Sequence, residues 1–287
     1  MDTGVLVTNI QSRAGLLSGT GSVPQILIAI AVVLIIYLAL ASIEVLYSYI
    51  NRMNLYRTDL LPITYATDNK SIIIPQNPND PNAKLVALSD NERSGPEYSY
   101  SFFLFVNPST FRQEDGLLHI FHKGNPNQYP LLNPGVYMHS NTNTLRVYMN
   151  TYKTWDSFID VDNFPVGKWV YVTIVCRSTH GEVYVNGNLA KKLRFDGYQP
   201  YLNYSNIICF SQRRISRPAS YSIDTTNKFN VFGAMQGFVS RLTYFSYGLS
   251  YTEINSLMNQ GPSKKIDETN MVKPPYLDDK WWVTGAS

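Results

Sequence analysis

The chain has 287 residues, of which 44% are hydrophobic and 16% charged, and its net charge is +3. Soluble domains average about 25% charged residues. Part of the deficit comes from an apolar N-terminal segment, and the rest reflects a chain rich in Asn, Tyr, Ser and Thr, which is typical of short strands joined by polar turns. Nucleic-acid modules concentrate positive charge on one face, and this sequence indicates no such face. We therefore expect no nucleic-acid partner. The short basic clusters could touch an anionic partner, but we interpret them as solvated loop charges. These clusters are Lys191/Lys192/Arg194, Arg213/Arg214/Arg217 and Lys264/Lys265.

The first predicted element is a transmembrane helix over residues 23–48, preceded by an N-terminal segment, residues 1–22. Residues 26–43 carry no charge, and 18 residues at 1.5 Å each span about 27 Å, close to the thickness of a bilayer's hydrocarbon core. Ile26, Leu34 and Ile43 mark the start, middle and end of this anchor. A lipid bilayer is therefore an expected partner, and the protein is expected to cross it once.

Two alternatives compete with the transmembrane interpretation. Ala39-Leu40-Ala41 resembles the cleavage site of a signal peptide, but the apolar run exceeds the usual 7–15 residues of a signal core. A buried core helix is rarely apolar on every side for five turns. Orientation follows from flanking charge, because Arg13 precedes the helix whereas Arg52 and Arg57 follow it. The positive-inside rule then favours a cytosolic C-terminal domain.

Cys176 and Cys209 both lie in apolar runs typical of strands. We expect two buried, reduced thiols, although one interstrand disulfide would be open to them outside the cytosol. The glycosylation triplets that begin at Asn69 and Asn203 would matter only on that non-cytosolic side.

The rest of the chain is predicted to be β structure. Residues 49–97 are interpreted as a stalk with lead-in strands at 71–75 and 83–88. From Tyr98 onward, apolar and β-branched runs recur between turn residues, which predicts an all-β, two-sheet sandwich. The runs are YSFFLFV, LLHIFH, GVYMHS, TLRVYMN, WVYVTIVCR, EVYVN, NIICFS and GFVSRLTYF.

Two local motifs are more specific. The Asn-Gly pair at 186–187 separates two strand patterns and predicts a tight hairpin in which both residues have positive φ. Ser250 and Glu253 have the spacing of a capping box, which begins a short helix that the Gly-Pro pair at 261–262 ends.

Taken in order, these motifs resemble the concanavalin A-like lectin/glucanase superfamily in its laminin-G-like branch. The resemblance rests on the Tyr-Ser-Tyr-Ser-Phe-Phe strand at 98–103, the Lys-Trp-Val-Tyr-Val strand at 168–172, the Val-Tyr-Val-Asn-Gly hairpin at 183–187 and the closing strand and helix at 237–254. It implies two curved antiparallel sheets in a jelly-roll arrangement over residues 98–262. An extended arm would follow at residues 263–287.

Catalysis is not expected. Hydrolytic members of the superfamily carry two Glu on one strand in an E-x-D-x-x-E pattern, because one carboxyl acts as nucleophile and the other as acid and base. The glutamates here are isolated, and Glu253 is accounted for by helix capping. We therefore predict a protein that is not an enzyme.

No cofactor is expected, and calcium is a weak candidate at Asp156, Asp160 and Asp162. Ca²⁺ takes six to eight oxygen ligands, and laminin-G-like domains, which this chain resembles, often carry such an ion at a sheet rim. The alternative is that these aspartates form a solvated face. His119 and His122 are three residues apart on a predicted strand, which would put them on opposite faces and disfavours zinc.

The sequence is compatible with two kinds of partner. Aromatic and amide groups at loop tips could bind a glycan, at Asn125, Asn127 and Tyr129 or at Tyr198, Tyr201 and Tyr204; alternatively, these tyrosines simply cover the sheets. A glycan-binding module on a cell or virion surface is one functional hypothesis.

The other hypothesis is structural. Tyr276, Trp281 and Trp282 lie in the C-terminal arm, where exposed rings favour docking on a neighbour or on the domain itself. In architecture and composition the chain resembles minor capsid proteins of large icosahedral DNA viruses. That resemblance implies a place on an internal virion membrane, with the C-terminal domain facing other capsid proteins on the cytosolic side.

Overall fold

The structure is a computed structural model that describes residues 22–68, 70–87, 96–128, 131–154, 157–216 and 229–267. The chain divides into two compact units, Met1–Leu55 and Tyr56–Ser287. The first unit contributes helix α1, and the second contains the β structure.

Helix α1 spans Ser22–Leu55, so it is longer than the predicted 23–48. No Gly or Pro occurs between Gln25 and Leu55 to end it, which explains why residues 49–55 continue the helix. Ile26, Leu34 and Ile43 are all more than half exposed. Within the described residues, α1 is the one helix long and apolar enough to cross a membrane, with a mean hydropathy of 3.1.

The second unit contains fourteen described strands and one described α-helix. The strands of the first half are β1 (Arg57–Ala66), β2 (Ile72–Ile74), β3 (Tyr98–Val106), β4 (Leu117–Gly124), β5 (Leu132–His139), β6 (Leu145–Tyr148) and β7 (Phe158–Val161). The second half has β8 (Trp169–Cys176), β9 (His180–Val185), β10 (Asn188–Arg194), β11 (Ile207–Cys209), β12 (Arg214–Ser216), β13 (Asn230–Ala234), β14 (Gly237–Phe245) and helix α2 (Tyr251–Met258).

The strands form two sheets. The first has the order β1-β14-β3-β8-β9-β10, and the second has the order β12-β13-β4-β5-β6-β7, with β11 pairing with both β4 and β2. Among the described strands every pairing is antiparallel except that of β13 with β4. The predicted two-sheet antiparallel sandwich with one short C-terminal helix is confirmed.

The main core lies between the sheets. Alternate residues such as Phe102 and Leu104 from β3 meet Val136 and Val147 from β5 and β6 there. The intervening residues of the second sheet form a smaller cluster on its other face, which includes Leu117, Tyr137, Tyr148 and Phe229. This period of two is what strand geometry requires.

The two cysteines are free and buried, as predicted. Both belong to the main core. Burial in apolar surroundings raises the pKa of the Cys176 thiol to about 12, and the same cause raises the pKa of Cys209. Both thiols therefore stay protonated at neutral pH.

The prediction that residues 57–66 belong to a stalk was wrong. These residues form β1, which pairs along its length with β14, from Arg57 opposite Phe245 to Ala66 opposite Phe238. Leu60 and Leu61 are buried side by side, because a register shift interrupts the alternation of the strand. That interruption hid the strand from a search for alternating residues.

The lead-in strand expected at 71–75 is present as β2, but the one expected at 83–88 was wrong over its described part. Residues 83–87 form no strand. The Gln76 side chain replaces a strand partner, since its Nε2 donates to the Lys84 carbonyl at 2.8 Å and its Oε1 accepts from the Val86 amide at 2.9 Å. Backbone groups that would otherwise need a ladder are satisfied in this way.

Both specific local motifs are confirmed. Asn186 and Gly187 have φ angles of 49° and 78°, as the tight hairpin between β9 and β10 requires. Ser250 caps α2 by accepting from the Glu253 amide, and the Glu253 carboxylate accepts from the Ser250 amide in return.

Candidate functional site

Strand β4 pairs with two different strands along one of its edges. Its first half pairs with β13, where Leu117 faces Val231, and its second half pairs with β11, where Lys123 faces Ile207. On its other edge, the register with β5 shifts between His119 and Phe121, so one extra residue is inserted there. This is a β-bulge, which bends a strand and re-aims its side chains.

The bulge brings His119 and His122 together, so the expectation that they lie on opposite faces was wrong. His119 Nε2 lies 2.7 Å from His122 Nδ1. The Ser211 amide donates to His119 Nδ1 at 3.0 Å, and His122 Nε2 donates to the Asn125 carbonyl at 2.9 Å. Because the amide can only donate and the carbonyl can only accept, His119 Nε2 must donate to His122 Nδ1.

This histidine relay, Ser211 to His119 to His122 to Asn125, is neutral. Burial lowers the pKa of His119 well below its ordinary value, with a smaller effect from His122, and burial lowers the pKa of His122 to about 4. Every ring nitrogen already has a hydrogen-bond partner, and no three metal-ligating side chains converge anywhere in the described ranges. The relay therefore joins the loop after β4 to the segment after β11.

Four exposed tyrosines lie on two loops at the edge of this region. Tyr152, Tyr198, Tyr201 and Tyr204, here called the tyrosine rim, are 69%, 44%, 37% and 77% exposed. The Tyr152 and Tyr201 rings meet edge to face with centroids 5.2 Å apart. Lys153 Nζ lies 5.2 Å from the centroid of the Tyr198 ring.

Backbone hydrogen bonds hold the two loops of the rim together. The Tyr152 amide donates to the Gln199 carbonyl at 3.2 Å, and the Tyr201 amide donates to the Asn150 carbonyl at 2.8 Å. Asn133 on β5 fixes the second loop, because its Nδ2 donates to the Tyr201 carbonyl at 2.6 Å. The rim is thus attached to the sandwich at more than one point.

An inter-sheet cavity of about 340 Å³ adjoins the rim, and Tyr204 is one of its lining residues. Its inner wall is formed by Tyr98, Tyr100 and Tyr244, which we call the cavity tyrosines. Burial raises the pKa of each of these phenols above its ordinary value, so they are neutral at pH 7. None of the described residues that line the cavity is Asp or Glu.

Lys123 from β4 reaches the wall of the cavity and holds the loop that carries Tyr204. Its Nζ donates to the Asn203 carbonyl at 2.6 Å and to the Ser205 carbonyl at 2.9 Å. The side chain is 6% exposed, and burial lowers the pKa of its ammonium to about 8.

Hydrogen bonds in this region also occupy the side chain of Asn203, the acceptor residue of one glycosylation triplet. Asn203 is 5% exposed, its Nδ2 donates to the Lys123 carbonyl at 3.0 Å, and its Oδ1 accepts from the Ser205 amide at 3.1 Å. The nitrogen that a glycan would modify is therefore engaged in the folded protein. Asn69, the other acceptor, lies outside the described residues.

The two candidate calcium ligands that the structure describes, Asp160 and Asp162, have separate partners. The Asp160 carboxylate accepts two hydrogen bonds from the Arg146 guanidinium, at 2.7 and 2.6 Å. Asp162 instead accepts from Thr144 at 3.2 Å and lies 3.9 Å from Lys191 Nζ. Asp156 lies outside the described residues, as do Tyr129 and the arm residues Tyr276, Trp281 and Trp282.

Two buried glutamates have structural partners. Glu182 accepts from Tyr184 Oη at 3.1 Å and lies within 3.3 Å of both His180 Nε2 and Lys192 Nζ. Glu253 accepts from Tyr247 Oη at 2.9 Å in addition to capping α2, as predicted for capping.

Comparison with known proteins gives the family. A profile of the concanavalin A-like lectin/glucanases superfamily, in its laminin G group, matches residues 80–230. The chain belongs to this superfamily. The resemblance found in the sequence is thereby confirmed for the family and for its lectin-like fold. No curated protein sequence matches the chain.

Solved structures with a similar fold include receptor-binding domains of botulinum neurotoxins. The ligand-binding domain of serotype D, crystallised with N-acetylneuraminic acid, has a TM-score of 0.48 and 13% identity over 68% of this chain and 42% of that one. The receptor-binding domain of botulinum neurotoxin D has a TM-score of 0.46 and 14% identity over 69% and 43%. The C/D mosaic domain has a TM-score of 0.42 and 16% identity over 58% and 36%. The chain spans less than half the length of these toxin domains.

The neutral histidine relay makes stability depend on pH. His122 has a pKa near 6.5 in the unfolded chain and about 4 when folded, so between these values the unfolded state binds more protons. Its contribution is fully present above pH 6.5 and is lost as the pH falls towards 4. The loss is roughly 3 kcal/mol, and His119 adds to it in the same direction.

Urea unfolding at several pH values between 7 and 4 measures this slope, that is, how steeply the free energy of unfolding changes with pH. His122→Gln should make the free energy of unfolding depend less steeply on pH, because the buried imidazole is removed. An equal slope in the wild type and His122→Gln would contradict the relay.

Proposed function

We propose that the protein is a single-pass membrane-anchored, non-enzymatic lectin-like module that binds glycans at the tyrosine rim. The observation that carries this proposal is the exposure of four tyrosines on two loops that are bonded to each other. Exposed aromatic clusters mark binding surfaces, and tyrosine gives a large amphipathic contact area at low cost in conformational entropy.

The tyrosine rim is held in a fixed conformation, and this also favours ligand binding. Binding costs less conformational entropy when the groups that contact the ligand are already fixed. Tyr152 and Tyr201 are fixed by backbone hydrogen bonds and by their mutual ring contact. Asn133 ties Tyr201 to the sheet. The superfamily's lectin members make a sugar the first ligand class to test.

A hydrolytic alternative has less support. Hydrolysis of a glycoside requires two carboxyl groups on opposite sides of the bond, about 5–5.5 Å or 6.5–9.5 Å apart. The inter-sheet cavity offers no carboxylate among its described lining residues, and Glu182 and Glu253 are held by basic, phenolic or backbone partners.

The division of the chain follows from the same proposal. Helix α1 would be the membrane anchor, residues 56–267 the binding domain, and the residues after Asp267 the arm. Of the 23–48 segment assigned to the anchor, residues 26–43 carry no charge, and α1 continues to Leu55.

An assembly role is the second candidate, and one contact favours it. The Thr64 amide donates to the Lys265 carbonyl at 2.9 Å, and the Asp267 amide donates to the Thr64 carbonyl at 2.8 Å. The arm with Tyr276, Trp281 and Trp282 therefore starts from a fixed point on the edge strand β1. As a minor capsid protein, the chain would use this arm to contact shell proteins from a virion internal membrane.

Loss of rim tyrosines should weaken glycan binding. On a glycan array probed with the purified full-length protein, Tyr152→Ala and Tyr204→Ala should each reduce affinity for the bound sugar about tenfold, or 1.4 kcal/mol, because a stacking ring is lost. Tyr251→Ala is the matched control, since Tyr251 is 61% exposed but lies at the start of α2. Absence of any bound sugar, or equal binding by the rim variants, would contradict the proposal.

The anchor predicts resistance to alkaline carbonate. The wild-type chain should remain with the membrane pellet, whereas Leu34→Arg combined with Leu38→Arg should release it, because each central arginine costs about 2.5–3.5 kcal/mol of insertion. The same pair of arginines at Tyr47 and Leu55, near the end of the helix, should leave the protein in the pellet. Release of the wild type would exclude the anchor.

A further inference from the structure

Lys123 is a buried cation that has no carboxylate partner among the described residues. Its side chain is 6% exposed, and within the described residues no carboxylate lies within ion-pair distance of Nζ. Its two short hydrogen bonds go to neutral carbonyls, and the third contact, to Asn203 Oδ1, is long at 3.5 Å. Buried lysines are rare unless they are paired with an opposite charge.

The cavity beside Lys123 is mostly apolar. The cavity tyrosines form its inner wall, and Leu85, which is 47% exposed, lies at its mouth. Two of the three cavity phenols are already bonded, since Tyr98 Oη donates to Asn133 Oδ1 and Tyr244 Oη donates to the Ala87 carbonyl at 2.6 Å. Its volume, about 340 Å³, lies in the range of small-molecule sites.

We propose that this cavity is a binding site for a small organic carboxylate, whose apolar body packs on the cavity tyrosines and whose charge lies next to the Lys123 ammonium. An anion there would neutralise the one cation in the described wall, and a ring or short chain would fill space that the sandwich leaves open. The site does not depend on sugar binding at the tyrosine rim.

The pH dependence of binding follows from the groups around the cavity. The cavity tyrosines stay neutral up to pH 10, and His122, next to Lys123 on β4, is neutral above its pKa of about 4. Lys84, on the segment that covers the cavity, donates to the Leu60 carbonyl at 2.7 Å and is not a lining residue. Burial also lowers the pKa of Lys84, but among the described lining residues Lys123, with its pKa of about 8, is the cation that titrates in this range. Binding should be constant from pH 6 to 7 and weaken above pH 8.

The test uses 4-fluorobenzoate and its uncharged counterpart 4-fluorobenzamide, with full-length protein in lipid nanodiscs and ¹⁹F line width as the readout. The benzoate should bind saturably at pH 6.5, and the amide at least about tenfold more weakly. Lys123→Met should remove the preference for the benzoate. Leu85→Trp should weaken both probes by blocking the mouth. Lys264→Met, which removes an exposed cation, should bind like the wild type.

Two results would overturn the proposal. One is equal binding of benzoate and benzamide by the wild type. The other is benzoate affinity that stays unchanged in the wild type between pH 6.5 and 9.5. Because both use the unaltered chain, they decide the matter even if Lys123→Met fails to fold.

Discussion

One edge of β4 serves two strands, with β13 along its first half and β11 along its second. The bulge between His119 and Phe121 lies at the junction of the two pairings. The Phe210 amide donates to the Ile120 carbonyl at 2.9 Å, and the Met235 amide donates to the His119 carbonyl at 3.0 Å. The chain around residues 198–210 is therefore attached to the sheet at the same place where β13 stops. This attachment positions the histidine relay, Lys123 and the tyrosine rim together.

Charge is used sparingly at this junction. The relay is built from two neutral rings, because desolvation would make an imidazolium costly there. Lys123 is the exception, and its ammonium is held by carbonyls of the loop that bears Tyr204. Lys123 therefore both holds this loop in place and supplies the positive charge at the cavity wall. A carboxylate bound in the cavity would relieve the cost of burying that charge without disturbing the loop.

The sequence predicted those parts of the fold whose signals are local. The runs at β3, β8 and β14, the Asn186-Gly187 hairpin and the Ser250 cap all carry their own pattern, and each forms where expected. Strand β1 was missed because a register shift buries two adjacent leucines and breaks the alternation.

The candidate site was predictable only in part. Tyr198, Tyr201 and Tyr204 were identified as possible sugar contacts, but Tyr152 was not, since it joins them through a backbone bond between loops nearly fifty residues apart. The histidine contact depends on the bulge in β4, and a bulge cannot be read from residue spacing. Lys123 sits in an ordinary strand pattern, and its burial follows from the loop that folds over it. Non-local pairing, which sequence periodicity does not record, created each of these features.

Amide hydrogen exchange in the full-length protein, followed by NMR, tests most directly whether the rim is a preformed surface held by the β4 junction. The Tyr201 amide, bonded to Asn150, should be protected to the same order as the Phe210 amide, bonded to β4, because both belong to one cooperative unit. Exchange of Tyr201 at the rate of an unstructured peptide, with Phe210 still protected, would show that the rim is not held in place and would contradict the account.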